Sequence, residues 1–247
     1  MAHPTNKLID LSRVAAIVVA IVAVTGCAGL SGYRGSTADV LHVIEVSAKR
    51  KEVPESIRLV LGRPDDLWGK IAWGLEWQHD DALVEAERAK ILAQPGFFDV
   101  LSERAFPALP WIISEIERRE LPMELALVPV IESMLDPWAY SSQRAAGLWQ
   151  ITPATAAHYG LEINWWYDAR LDIPVATDFA LNYLVELYQR FENDWELALA
   201  AYNGGRGRVS RAQNKARTAG KAADYWHLKI PRETRRYVPR ILAIADI

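Results

Sequence analysis

The 247-residue sequence contains one cysteine, Cys27, so no intrachain disulfide can staple the fold, which must stand on an apolar core. No run of alternating apolar and polar residues exceeds about five positions, which argues against a sheet-based architecture. No apolar stretch reaches the roughly 20 residues of a membrane-spanning helix. The longest, Val14 to Val24, has eleven. The five histidines, at 3, 42, 79, 158 and 227, are scattered, and no His/Cys/Asp cluster has ligand spacing. No metal and no cofactor are therefore expected. A net charge of −3 carries no nucleic-acid signal. Internal repeats and low-complexity tracts are also missing.

What is present begins with an address. Lys7 and Arg13 precede the eleven-residue apolar run and small residues follow it, the layout of a secretory signal. The run ends in Val24-Thr25-Gly26-Cys27, which resembles the lipobox of bacterial lipoproteins, in which the cysteine is lipidated and becomes the mature N-terminus. Residue 28 is Ala rather than the Asp that such proteins use for inner-membrane retention. Lipidation of Cys27 and anchoring at the periplasmic face of the outer membrane are the expectation. The organisation expected is a signal peptide over 1–26, a lipidated tether over 27–52 with a short helix near Val40–Val46, a helical extension over 53–120, and a catalytic domain over 121–247. Whether the extension shares a core with that domain is open, with one domain the preferred reading.

From Asp65 the periodicity is helical throughout. Asp65/Asp66 and Asp80/Asp81 can cap two helices, and Leu109, Ile112, Ile113 and Ile116 mark a third. Thr152 as N-cap, Pro153 at the first helical position and Gly160 past the end define a short helix. Pro174 starts a long amphipathic helix with Ala180, Tyr183, Leu184, Leu187 and Phe191 on its buried face. Asp194 caps Trp195–Asn203, which stops at Gly204-Gly205, and a last helix starts near Pro231. The chain reads as all-α. Residues 204–240 hold eleven Lys/Arg against Asp224 and Glu233. That stretch is either a solvated face balancing acids elsewhere or a surface for an anionic polymer.

The most informative run is Leu121-Pro-Met-Glu-Leu-Ala-Leu-Val-Pro-Val-Ile-Glu-Ser133. Pro122 suits a first helical turn, and Pro129 should kink or open the helix that follows. Glu132 then rides near the end of a buried, bent helix. Desolvation penalises the ion, so a carboxyl group there has a raised pKa and can donate a proton at neutral pH. The alternative is a Glu that points to solvent or pairs with an Arg. Trp149 and Gln150 lie just before the Thr152-capped helix, on a connection that can place side chains in a cleft. Ten tryptophans and nine tyrosines offer flat faces for sugars, although core packing accounts for most.

The set Glu132-Ser133, Gly147-Leu-Trp-Gln150, Ala201-Tyr-Asn203 and Pro231-Arg-Glu-Thr-Arg-Arg-Tyr-Val-Pro239 resembles the ordered motifs of the family 1 lytic transglycosylases. The likeness extends upstream through Trp68, Arg104-Ala105 and Leu121-Pro-Met-Glu-Leu-Ala-Leu127, covering about residues 60–247. Each motif alone is weak; four in order are specific. The resemblance implies a goose-type-lysozyme-like helical catalytic domain that cleaves peptidoglycan glycan strands. It implies Glu132 as the single catalytic acid/base and Ser141 near the substrate's N-acetyl group. It also implies Gln150 and Tyr202, with Trp149 and Asn203 beside them, around the scissile sugar, and Glu233 and Tyr237 along the back of the cleft. Two departures stand out: Thr152 occupies a position where Met is common, and no LysM-type repeat follows before Ile247. Alternatives are a hydrolytic muramidase with Asp136 as second acid, a non-catalytic glycan-binding lipoprotein, and a soluble chitinase, which the lipobox disfavours.

Overall fold

The computed structural model describes residues 66–247. The expected signal peptide, Cys27 and its tether, the helix near Val40–Val46 and the capping role of Asp65 lie outside the described residues. Among the described residues the secondary structure is helical, with isolated bridge pairs in place of strands, as the all-α reading requires.

Helices start where a side chain can satisfy their orphan amides. Helix α1 (Leu67–Gly74) begins at Asp66, whose carboxylate accepts from Gly69 N at 2.6 Å, and α2 (Ala82–Leu92) begins at Asp81, which accepts from Leu83 N. Helix α3 (Phe97–Ala105) has no side-chain cap; Gly96 in the left-handed region turns the chain into it. Helix α4 (Leu109–Arg118) buries the four residues whose spacing predicts it.

Residues 121–133 do not form one bent helix. Pro122 stays extended at ψ 133° and leads into a 3₁₀ turn, Met123–Leu127, after which a new helix, α5 (Val128–Ser133), starts. Pro129 lies in the first turn of α5, where its missing N–H costs nothing. The opening expected at Pro129 is therefore a fresh helix start.

Helix α6 (Pro153–Tyr159) has Thr152 as N-cap and Gly160 at φ 73° as C-cap. Helix α7 (Ile173–Arg190) is capped by Asp172 and α8 (Trp195–Gly204) by Asp194. The chain then forms α9 (Arg206–Thr218), a 3₁₀ turn at Tyr225–His227, α10 (Arg232–Arg235) and α11 (Tyr237–Ala245). The single last helix expected from Pro231 is thus two pieces, joined at Arg236.

Helix α8 is the centre of the packing. Leu197, Ala198, Leu199, Ala200 and Ala201 are all buried, and five consecutive buried positions mean a helix enclosed on every side. It is flanked by α7, α9, α10 and α11, and its small residues permit that approach. At its C-terminal end a Cβ on Gly204 would come within 2.6 Å of Thr234 Oγ1, so the Thr234 side chain of α10 packs directly on the backbone of α8. Helix α11 packs on α2, so an N-terminal helix lies in the same core as α8. Arginines of the basic stretch answer acids of this chain: Arg206 with Glu186 at 3.3 Å, Arg217 with Glu192 at 2.8 Å, and Arg236 with Glu87. Those pairs favour the acid-balancing reading of that stretch. Among the described residues no helix is long and apolar enough to cross a membrane.

Because α8 is enclosed, Leu199→Ala is expected to cost about 2–5 kcal/mol. Chemical denaturation checks it, and a loss under ~1 kcal/mol would contradict a central α8.

Candidate active site

Glu132 occupies the last turn of α5 and is partly exposed there. Immediately beyond it, Met134 at φ 55° and Leu135 at φ 57° both enter the left-handed region. Non-glycine residues held so cost on the order of 1–3 kcal/mol each and persist only where the surroundings over-determine them. Here Leu135 is fully buried, Met134 N donates to Val130 O at 3.0 Å and Leu135 N to Pro129 O at 3.2 Å. Arg104 braces the same turn through Met134 O at 3.3 Å and lies 3.9 Å from Asp136. The chain reverses directly after Glu132, so the carboxyl stands at a rim.

Ser133 fastens α5 to the next segment. Its hydroxyl is shared between Pro129 O at 3.1 Å and Leu148 O at 2.9 Å. The segment so fastened is a tight double turn in which Ala146 bridges to both Tyr140 and Ile151. Gly147 makes it possible: at φ 77°, a Cβ there would lie 2.0 Å from Arg170 O. Gln150, also left-handed at φ 47°, donates from Nε2 to Gly147 O at 2.9 Å and Ala139 O at 3.2 Å. Ser141 Oγ accepts from Ala145 N at 3.0 Å. Both side chains therefore hold the turn's shape, and both stay partly exposed.

Trp149 does not line a cleft. It is fully buried and its indole N–H donates to Thr177 Oγ1 at 3.0 Å, which corrects the placement expected from sequence. The physical reason is that Gly147 and Gln150 turn the backbone so that Leu148 and Trp149 both face the core. The backbone carbonyl of Trp149 is what reaches the site, accepting from Tyr202 OH at 2.7 Å. Asn203 follows Tyr202 at the end of α8, half-buried.

The fourth motif contributes from α10 and α11. Tyr237 is almost wholly buried and its phenol donates to Glu132 Oε1 at 2.6 Å. Glu233 is exposed, and its negative charge still reaches Glu132. Burial pushes the Glu132 carboxyl up, the Tyr237 hydrogen bond pulls it down, Glu233 pushes it up and Arg240 pulls it down; the result is about 7. Burial, with the Glu132 charge nearby, holds Tyr202 and Tyr237 well above the usual phenol range, so both remain neutral donors. The site is thus an acid half-protonated near neutrality, with one neutral phenol on it and another beside it.

Asp136 is engaged elsewhere: its Oδ1 accepts from Trp138 N at 2.9 Å, closing a turn. Two supporting residues carried no signal as site residues. Arg170 is buried and donates to Arg144 O at 2.8 Å and Ile151 O at 3.2 Å, with Asp168 as its ion partner at 2.7 Å. Thr177 is the other, with the role given above. An arginine four positions from a helix-starting Pro has no pattern that betrays such a task. Among the described residues, no group of three or more His, Cys, Asp or Glu could hold a metal ion.

Two outcomes follow. Because the folded pKa of Glu132 lies above its ordinary value, ionising it opposes folding: stability is full below about 4.5 and falls as pH rises through about 7. Glu132→Gln is therefore expected to be more stable than the parent at pH 8, by on the order of 2 kcal/mol, and no more stable at pH 4; denaturation at both pH values checks this. Tyr237→Phe removes a bond that favours the ion, so NMR titration of the Glu132 carboxyl should show its pKa rising further; a fall would contradict the geometry.

Residues 110–225 match the family described as Transglycosylase SLT domain. The membrane-bound lytic murein transglycosylase D of Escherichia coli K12 is 41% identical over 186 residues, which are 74% of this chain and 41% of that protein. The chain thus spans less than half the length of that curated relative. The peptidoglycan transglycosylase of Escherichia phage T7 is 34% identical over 46% of this chain and 8% of its own. Among solved structures, the lytic transglycosylase Slt of Pseudomonas aeruginosa aligns over 84% of this chain and 44% of that one, at 16% identity and a TM-score of 0.41. The chain thus carries a Transglycosylase SLT domain over residues 110–225, and its likeness to the coliform lytic transglycosylase runs beyond that domain.

Proposed function

We propose that the protein cleaves the β-1,4 bond between MurNAc and GlcNAc in peptidoglycan without water, leaving a 1,6-anhydroMurNAc end, in turnover and remodelling of the wall. The observation that carries this reading is the Glu132 carboxyl, poised at about 7 beneath the Tyr237 phenol with no second free carboxylate on its own turn. Hydrolytic glycosidases of most families use a pair of acids, the second activating water or attacking the sugar. Asp136 is spent on its turn, which counts against the muramidase alternative.

A single acid can serve twice. Protonated Glu132 delivers its proton to the bridging oxygen as the glycosidic bond breaks. The carboxylate so formed takes the proton from the 6-hydroxyl of the same MurNAc, whose oxygen closes on the anomeric carbon. The acid is restored and no water is consumed. A pKa near working pH suits both half-steps. Tyr237 steadies the carboxylate between them; being buried, it acts through Glu132 and not on the sugar. In this reading the partly exposed Ser141, Gln150, Tyr202 and Asn203 would contact the sugar, Ser141 near its N-acetyl group, with Glu233 along the back of the cleft. The acetamido carbonyl would shield the developing positive charge.

The same reading extends to the envelope: a signal peptide over 1–26, a lipid on Cys27 and a tether to the outer membrane would hold the catalytic domain within reach of the wall. The names of the coliform relative, membrane-bound and murein-directed, support it.

The test is the product profile on purified sacculi. The active protein should release muropeptides lighter by one water than muramidase products, and Glu132→Gln should lower the rate by about 10²–10⁴-fold or more. Reducing ends in place of anhydro ends would overturn the mechanism.

A further inference from the structure

A second concavity, of about 540 Å³, lies between α6 and α7 and does not include Glu132. Its walls are aromatic: Phe179 and Tyr183 stack at 5.9 Å, and Tyr159 packs edge-on against Phe179 at 5.5 Å. Beside it rises a short hairpin, closed by the Ile163–Asp168 bridge, with Tyr167 on the groove and Trp165 and Trp166 at the tip. Those two indoles are 87% and 89% exposed and touch each other edge to face at 6.4 Å. Large apolar groups left in water as a cluster mark a surface that meets something.

Two links join this surface to the catalytic site. Tyr183 meets Tyr202 at 5.8 Å, one ring away from the carbonyl of Trp149. On the other side, Tyr140, in the segment that follows Glu132, donates to Asp168 of the hairpin at 3.4 Å and lies under the Arg170 guanidinium. Trp138 and Tyr140 are themselves 71% and 59% exposed, so flat rings continue from the active site to the hairpin tip.

The charges say what kind of ligand fits. Two of the groove's carboxylates are paired with cations, Glu186 with Arg206 and Asp178 with Arg119, while Glu162 accepts from the neutral Asn164 amide. An ammonium ligand would find two of the three carboxylates already paired with arginines and would have to compete for them. A pyranose suits better: its C–H face packs on rings, and its hydroxyls can donate to the carboxylate lone pairs that remain.

We propose that this groove and the Trp165–Trp166 tip form a second carbohydrate site, which grips sugar units of a glycan strand away from the bond being cut. The proposal rests on the reading of the substrate as a glycan, but its test does not depend on the products formed. Full-chain Glu132→Gln protein is sedimented with purified sacculi, and titrated with GlcNAc oligomers of increasing length while tryptophan fluorescence is followed. Adding Trp165→Ala and Trp166→Ala, at positions too exposed to disturb the core, should weaken binding to sacculi about tenfold. It should also abolish the fluorescence response that grows with oligomer length. Tyr167→Ala, checked for fold by circular dichroism, should weaken binding in the same direction. Unchanged binding in the double variant would overturn the proposal. So would retention on phosphatidylethanolamine vesicles that depends on both tryptophans while sacculus binding does not. Failure of the transglycosylase reading would instead appear as reducing ends from the unmodified enzyme.

Discussion

One hydrogen bond, from the Tyr237 phenol to Glu132, sets the conditions for everything else at the site. Burial alone would keep the carboxyl protonated, and an acid that never releases its proton cannot act as a base. A neutral phenol 2.6 Å away moderates that without adding a charge. It can do so only because Tyr237 is itself shut away from water and stays protonated. Two desolvated groups, each unfavourable to ionise, thus place one of them at about 7. Arg240 and Glu233 act in opposite directions around the pair, so the local field is balanced.

Holding that bond requires α5 and α11 to stay in fixed relation, and the fold spends much of its rigidity there. Enclosed α8 sits against α11 and α10, and its terminal Gly204 admits the Thr234 side chain onto its backbone. Helix α2 packs on the other side of α11, and Glu87 pairs with both Arg236 and Arg240. Strain at Met134, Leu135 and Gln150 concentrates on the two segments that border the carboxyl. Each is held by a buried side chain or a bifurcated bond, which is how residues in a costly conformation survive in a stable core.

Much of this was legible from residue types. Asp66, Asp81, Thr152 with Pro153 and Gly160, and Asp194 act as the caps their positions imply, because capping is local chemistry readable within four residues. The raised pKa of Glu132 followed from the apolar run before it. Helix α9 was harder, since only Val209 and Gln213 are buried along its thirteen residues and no apolar stripe announces it. The direction of Trp149 was not legible: in a non-periodic turn, left-handed φ at Gly147 and Gln150 decides which way a side chain points. Nor was the partner of Tyr237, which stands 105 residues away in the chain.

The difference between those cases has a chemical consequence. Motif residues clustered by sequence need not share a role: Gln150 and Ser141 shape a turn, Trp149 anchors it through Thr177, Ser133 ties it to α5, and Tyr202 reads only its carbonyl. Among the motif side chains just named, only Glu132 is an acid, raised to about 7, and part of it faces solvent. The remaining motif side chains make that possible by fixing where the carboxyl is and how little water surrounds it. A site with a single titrating member suits a reaction in which the sugar supplies its own nucleophile, because nothing else at the rim has to gain or lose a proton.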